Sequence, residues 1–358
     1  MTFYNLERFT VLIVEDNGFI RNTLRDLLQN LGVGTIKFAE NGADAIEFLK
    51  SVKTTANIPG GLNIDLIVSD MIMSPINGLL LARWVRQAKE SPNRFIPYIM
   101  LSGAADNAYV ASARDLGATE FVAKPFSATS MYEKILEVID HPRNFIACHS
   151  YNGPDRRRKA TKRQLEDDQR TLTEADATIV YSAGRVVKPK DETDLWIFKL
   201  PNSLKEKAGG LGKGATPGEI PNDILEKAEA QLQTKKLDFT DWALNYLAEL
   251  SDHCTRALAN AERRNANFEK INLLAHELRG QGGTFGYPLI TVFGKMLYEV
   301  TQDGCRMDDS AVEIVKAHID AMRVVLREKI AGDGGALGKK IYASLQAAIQ
   351  KNNQKSVV

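Results

Sequence analysis

Three cysteines, Cys148, Cys254 and Cys305, are too few and too widely spaced for a disulfide framework or a zinc-ligand pattern, so reduced thiols are expected. No apolar run approaches the roughly 18 residues that mark a membrane span. The N-terminus carries neither the basic nor the apolar region of a signal peptide, and the expectation is a cytoplasmic protein. An excess of one charge is also lacking: 46 Lys and Arg against 45 Asp and Glu give a net charge of +1. A chain so balanced has no general attraction for anionic polymers or lipid, and nucleic acid is not expected as a partner. The Gly-Lys pair at 212–213, in a glycine-rich stretch, lacks the following Ser or Thr and the upstream glycine of a nucleotide loop.

What is present is ordinary globular composition, 44% apolar and 25% charged. At roughly 150 residues per domain, 358 residues suggest two or three domains. From Thr10 to Asp140 short apolar runs alternate with amphipathic segments. TVLIV precedes a segment with Ile20, Leu24, Leu27, Leu28 and Leu31 at helical spacing. TIKFA precedes a helix from Ala43, IDLIVS one from Gly78, IPYIML one from Asp106, and TEFVA one from Ser127. This repetition predicts a doubly wound α/β domain, a five-stranded parallel sheet with helices on both faces, over residues 1–140. KTTANIPGGLN reads as an enlarged surface loop.

Beyond His141 the periodicity stops. GPDRRRKATKRQLEDDQR reads as an exposed charged linker, DLWIFKLPNSLKEKAGG as a short strand and helix, and GGLGKGATPGE as a flexible glycine-rich stretch. Residues 141–220 are therefore expected to be a largely flexible linker. From 221 to 358 helical patterning dominates, with starts at Pro288 and at Asp308-Asp309-Ser310, and predicts an all-α bundle of four or five helices.

Ligands of an open parallel sheet bind outside the carboxyl ends of its strands. Glu15 and Asp16 follow the first strand, Asp70 ends the third, Ser102 ends the fourth, and Lys124 follows the fifth. Converging carboxylates need a neutralising cation, and hard oxygen ligands suit Mg²⁺. Such a site can carry phosphoryl transfer, with Asp70 attacking phosphorus while Lys124 and the Ser102 hydroxyl hold the other oxygens. Glu15-Asp16, Asp70, Ser102-Gly103 and Lys124-Pro125-Phe126 resemble the response-regulator receiver domain in order and spacing over residues 9–140. The resemblance implies that Asp70 is the phospho-acceptor, that Glu15, Asp16, Asp70 and the backbone carbonyl of Ile72 bind Mg²⁺, and that Phe121 is a rotating switch aromatic. Where the family has Met-Pro, this chain reads Met73-Ser74-Pro75, with Asn77-Gly78 still in register.

In the helical region Ile271, Leu274, Ala275, Leu278, Gly282 and Phe285 fall on one arc, predicted to be buried, and His276 falls on the other side. Gly280 and Gly283 flank the histidine although glycine costs helix stability, which suggests close approach by a partner. An imidazole is a competent phosphoryl carrier, and Arg279 can hold a phosphate oxygen. The string from His276 to Gly286 resembles the signature of histidine phosphotransfer domains, with a core at about 235–330 and Gln281 where that family usually has Ser. The resemblance implies that His276 exchanges phosphate with a receiver domain docking over Leu273, Arg279, Gly280 and Gly283. The expected protein is a phosphorelay component without a catalytic turnover of its own. Its expected partners are a sensor histidine kinase and other receiver or phosphotransfer proteins. The alternative is an interaction module whose bundle docks a partner without phosphohistidine. A third reading, a transcriptional regulator, draws only on the basic cluster at Arg156–Arg163 and lacks a helix-turn-helix.

Overall fold

The computed structural model describes residues 3–55, 62–102, 113–124, 126–156, 177–185, 187, 189–191, 193–209, 218–219, 221–283 and 285–355. Outside them lie the first part of the helix expected from Asp106, to residue 112, with Gly103, Pro125, the tip of the loop after Lys53, the charged run from Arg157 and the glycine-rich stretch at 210–217; residues 113–115 are helical. The chain divides into two compact units, residues 1–122 with 128–231, and residues 123–127 with 232–358.

The first unit is built on β1 (Thr10–Val14), α1 (Gly18–Asn30), β2 (Thr35–Ala39), α2 (Gly42–Thr55), β3 (Leu66–Asp70), α3 (Gly78–Gln87), β4 (Tyr98–Ser102), β5 (Glu120–Ala123) and α4 (Ala128–Asp140). The five strands form one all-parallel sheet in the order β2-β1-β3-β4-β5. Every residue of β1, β3 and β4 is buried. Helices cover both faces of such a sheet, so its strands read as unbroken apolar runs. Two asparagines fix where helices begin beside the carboxyl edge. The Asn17 side chain accepts from the backbone N–H groups of Phe19 and Ile20 at 3.0 and 3.2 Å, and Asn77 accepts from Leu80 N–H at 2.9 Å.

The segment expected to be a flexible linker instead carries, in its described residues, a second sheet. β6 (Phe145–Cys148), β7 (Tyr151–Pro154), β8 (Thr178–Val180) and β9 (Leu195–Phe198) lie in the order β7-β6-β9-β8. β6 pairs antiparallel with β7 and β9, and β8 runs parallel to β9. The strand and short helix expected at DLWIFKLPNSLKEK are β9 and α5 (Ser203–Lys207). The small sheet folds because Phe145 and Phe198 share a core with Phe95, whose ring lies 4.7 and 5.2 Å from theirs. Paired charges fasten it further: Arg143 meets the buried Glu120 at 2.9 Å and Arg156 meets Asp115 at 2.7 Å. At the end of α4 the Asp140 carboxylate receives Tyr4 OH at 2.5 Å, Lys205 Nζ at 2.8 Å and Gly218 N–H at 3.1 Å.

The second unit is helical. α6 (Asn222–Ala259) enters it from residue 232, and α7 (Arg264–Gln281), α8 (Pro288–Val300), α9 (Asp309–Arg327) and α10 (Gly335–Lys355) follow. Pro288 opens α8, and Asp308 caps α9 by accepting from Ala311 N–H at 2.7 Å, as the sequence predicts. Phe239 and Phe285 stack at 4.7 Å in the core. Helices α7 and α8 touch backbone to backbone. A Cβ on Gly282 would stand 2.7 Å from Thr291 N and from Tyr287 O, and one on Gly294 would stand 2.7 Å from Arg279 N. At Gly282 glycine serves helix packing inside the bundle.

Candidate functional site

The doubly wound order sets the carboxyl ends of the neighbouring strands β1 and β3 side by side, and the acids stand there. Glu15 and Asp70 are fully buried and Asp16 is exposed, and one carboxylate oxygen of each lies within 4.8 Å of the others. Three negative groups this close favour a hard cation with oxygen ligands, so the donor set fits Mg²⁺. Both the carboxylates and the main chain that carries them are held. Met71 N–H donates to Asp70 Oδ1 at 2.7 Å, Asn17 N–H donates to Glu15 Oε1 at 3.3 Å, and Arg21 Nη1 donates to the Glu15 carbonyl at 2.7 Å while its Nη2 meets Glu40 at 3.1 Å.

Ser102 closes β4 and Lys124 follows β5, both buried, at the same edge of the sheet. Phe121 lies in β5, half-buried against the core that includes Tyr98 and Ala118. Ile72, half-buried, sits two residues beyond Asp70 in a loop whose Ser74–Pro75 peptide is cis. That loop closes on Gly78, whose N–H donates to the Met71 carbonyl at 3.0 Å and whose own carbonyl accepts from Tyr98 OH at 3.0 Å. A Cβ at Gly78 would fall 2.0 Å from the Asp70 carbonyl oxygen. Sequence reasoning did not single out Asn17, Arg21 or Tyr98. Asn17 was findable as a cap before an apolar-periodic segment, whereas the reach of Arg21 to a carbonyl behind its own helix has no signature in the sequence.

In the bundle, the arc of Ile271, Ala275, Leu278, Gly282 and Phe285 is buried as predicted, with Leu274 half-buried. His276 departs from expectation. It is 3% exposed, its ring centroid 5.7 Å from that of Tyr298 on α8. Gly280 is also buried, Arg279 and Gly283 are half-buried, and Leu273 is 41% exposed, so the four expected docking residues do not form one open patch. Arg279 Nη2 lies 2.9 Å from His276 Nδ1, with the guanidinium 4.4 Å from the Tyr298 ring centre. Burial foremost, and then the charges of Arg279 and Lys124, push the His276 pKa down to about 3, so the ring is neutral at pH 7. Gln281 is fully buried, and neither of its amide atoms has a hydrogen-bond partner among the described residues.

Residues 11–136 match the family model of the response regulator receiver domain, and this part of the chain is such a domain. The match stops short of the small sheet and the bundle. The chemotaxis protein CheY of Bacillus subtilis (strain 168) is 29% identical over 134 residues, 37% of this chain and 97% of that protein. Chemotaxis protein CheY-3 of Vibrio cholerae is 25% identical over 130 residues, 36% of this chain and 91% of that one. Among solved structures, the signal receiver domain of a signal transduction histidine kinase from Syntrophus aciditrophicus is similar at 26% identity, over 37% of this chain and 92% of that chain, with a TM-score of 0.31. Among the described residues no helix is long and apolar enough to cross a membrane.

Proposed function

We propose that this chain is a phosphorelay component in which Asp70 accepts a phosphoryl group and His276 exchanges one with a receiver domain. The observation that carries the first half is the cluster of Glu15, Asp16 and Asp70, with carboxylate oxygens within 4.8 Å, at the carboxyl edge of the receiver sheet. Glu15, Asp16, Asp70 and the Ile72 carbonyl would hold Mg²⁺, which when bound offsets the negative charge gathered at phosphorus. An Asp70 oxygen attacks phosphorus and forms an acyl phosphate. The bond from phosphorus to the donor nitrogen breaks, and the nitrogen keeps the electron pair. The Lys124 ammonium and the Ser102 hydroxyl donate to the phosphoryl oxygens. The donor is a sensor kinase phosphohistidine, the setting is the cytoplasm, and the chain turns over no other substrate. Labelling the full chain with acetyl phosphate and Mg²⁺ tests this. Asp70→Asn should abolish the label, and an Asn variant that labels as strongly as wild type would overturn the assignment.

At His276 the support is a neutral imidazole held by a cation. Arg279 has only donors, so Nδ1 accepts and the ring proton sits on Nε2. Attack by Nε2 then requires Arg279 to leave Nδ1, which lets the proton move there and frees the guanidinium for phosphoryl oxygens. The burial of His276 favours a second reading, a bundle that docks a partner without phosphohistidine. Transfer from a labelled receiver to the full-length Asp70→Asn chain separates the two. Acid-labile label lost in His276→Gln supports transfer, and no label from any receiver supports docking alone.

A further inference from the structure

Helices α9 and α10, joined by residues 328–334, form an antiparallel hairpin with a groove of about 460 Å³ between them, wholly within the second unit. Ala317, Ala321 and Val324 line it from α9, and Leu337, Ile341 and Ala348 from α10. Val324 is 42% and Leu337 48% exposed, so side chains suited to a core lie open at one end of the groove. We propose that this groove is the contact face of a symmetric dimer of the chain, with α9 of each copy lying along α10 of the other. The association uses none of the residues of the phosphoryl chemistry and does not depend on it.

The charges beside the groove are what select a second copy as its occupant. Asp320 lines the groove on α9 and Lys340 on α10. Glu313 lies about two turns before Asp320, and Lys351 about three turns after Lys340, each on the same flank of its helix. All four are exposed. At about 1.5 Å per residue, Asp320 and Glu313 stand roughly 10 and 21 Å from the turn end of α9, and Lys340 and Lys351 roughly 8 and 24 Å from the turn end of α10. The acids of one wall and the lysines of the other therefore share two levels. A two-fold axis parallel to the helices lays α9 on the partner's α10 and keeps every level, so Asp320 meets the partner's Lys340 and Glu313 the partner's Lys351, each twice in the dimer. An axis across the helices would instead set α9 on α9 and acid against acid. Asp320 also meets Arg323 of its own helix at 2.8 Å, and a facing lysine joins that surface pair. The four helices enclose Val324 and Leu337 as a bundle core does. The contact runs about 20 Å along two helices about 10 Å apart, which is small for a specific interface and makes the dimer weak and dependent on concentration.

Sedimentation velocity of the full chain, without a phosphodonor and across a micromolar concentration series, tests the proposal. Wild type should pass from monomer to dimer, and Leu337→Asp should hold it monomeric. Asp320→Lys and Lys340→Glu should each weaken association about tenfold or more, because each brings like charges together at two places in the dimer. The double variant should restore it. Thermal melts of all four variants should match wild type, since the three side chains are exposed. A wild type that stays monomeric, leaving the groove to a helix of another protein, a dimer that Leu337→Asp does not weaken, or a double variant as weak as the single ones would each overturn it.

Discussion

Gly78 shows how much of the acidic site depends on an atom that is missing. Its hypothetical Cβ would strike the Asp70 carbonyl at 2.0 Å, main chain against main chain, so no side chain can yield. Gly78→Ala should cost about 1–3 kcal/mol in urea unfolding and reduce acetyl phosphate labelling, because relief must come from moving the backbone that carries Asp70. The glycine was legible in the sequence, as part of Asn77-Gly78, but the reason for it was not, since nothing local reveals that two backbones cross there. The same limit applied at His276. Its angle on α7 lies away from the Ile271–Leu278 arc, yet the ring is buried and lies against Tyr298 of α8, a neighbour that the helix's own sequence does not reveal. Arg86 is the opposite case, a residue whose charge suggests solvent although its place one turn after Ala82 sets it beside the buried face of α3. It is 1% exposed and donates to the carbonyls of Gly117, Arg94 and Ile96 at 2.7–2.9 Å, and burial pushes its pKa down to about 10.

At the scale of elements, legibility followed burial and pairing distance. The five receiver strands announced themselves because β1, β3 and β4 are buried on both faces and must be apolar throughout. The strands β6 to β8 have three or four residues each, too few for a period, and Phe145 pairs with Phe198 far along the chain. Phe198→Ala should remove the ring that joins the small sheet to Phe95 and destabilise the first unit by about 3–5 kcal/mol, as measured by chemical denaturation. In the bundle, His318 on α9 is fully buried, its ring donating from Nδ1 to the Ile314 carbonyl at 2.7 Å, and burial holds its pKa below the usual value of 6.5. His276 is held lower still, to about 3. Both histidines bind a proton when unfolded that they refuse when folded, so stability is full above pH 6.5 and falls as the pH drops toward the folded values. The slope is at most about 1.4 kcal/mol per pH unit for each histidine. Urea unfolding at pH 7.5 and 5.5 should show this loss, and His318→Leu should shrink the difference between the two.

For the whole molecule, the receiver stretch does not end its own interactions at residue 140. Phe95 finds its ring partners in β6 and β9, Glu120 finds Arg143, and Asp140 finds Lys205 and Gly218 N–H. A fragment of residues 1–140 should therefore melt lower than one of residues 1–231, with exposed Phe95 and Glu120 left without its Arg143 partner. Equal melting temperatures would mean that the small sheet contributes nothing to the receiver. The sequence did not reveal this dependence because each contact joins residues far apart in the chain.

The joining of the two chain ends of the first unit has a consequence for how it is made. Phe3 forms a parallel bridge with Glu219, and Tyr4 N–H donates to the Glu219 carbonyl at 2.9 Å. On a ribosome adding about 5–20 residues per second, Tyr4 waits on the order of ten to forty seconds for that partner to be synthesised. The strands of the receiver sheet are complete long before then, so the nascent chain spends that interval with its N-terminal segment undocked and Asp140 short of Lys205 and Gly218. The first unit closes only when its last turn has left the exit tunnel.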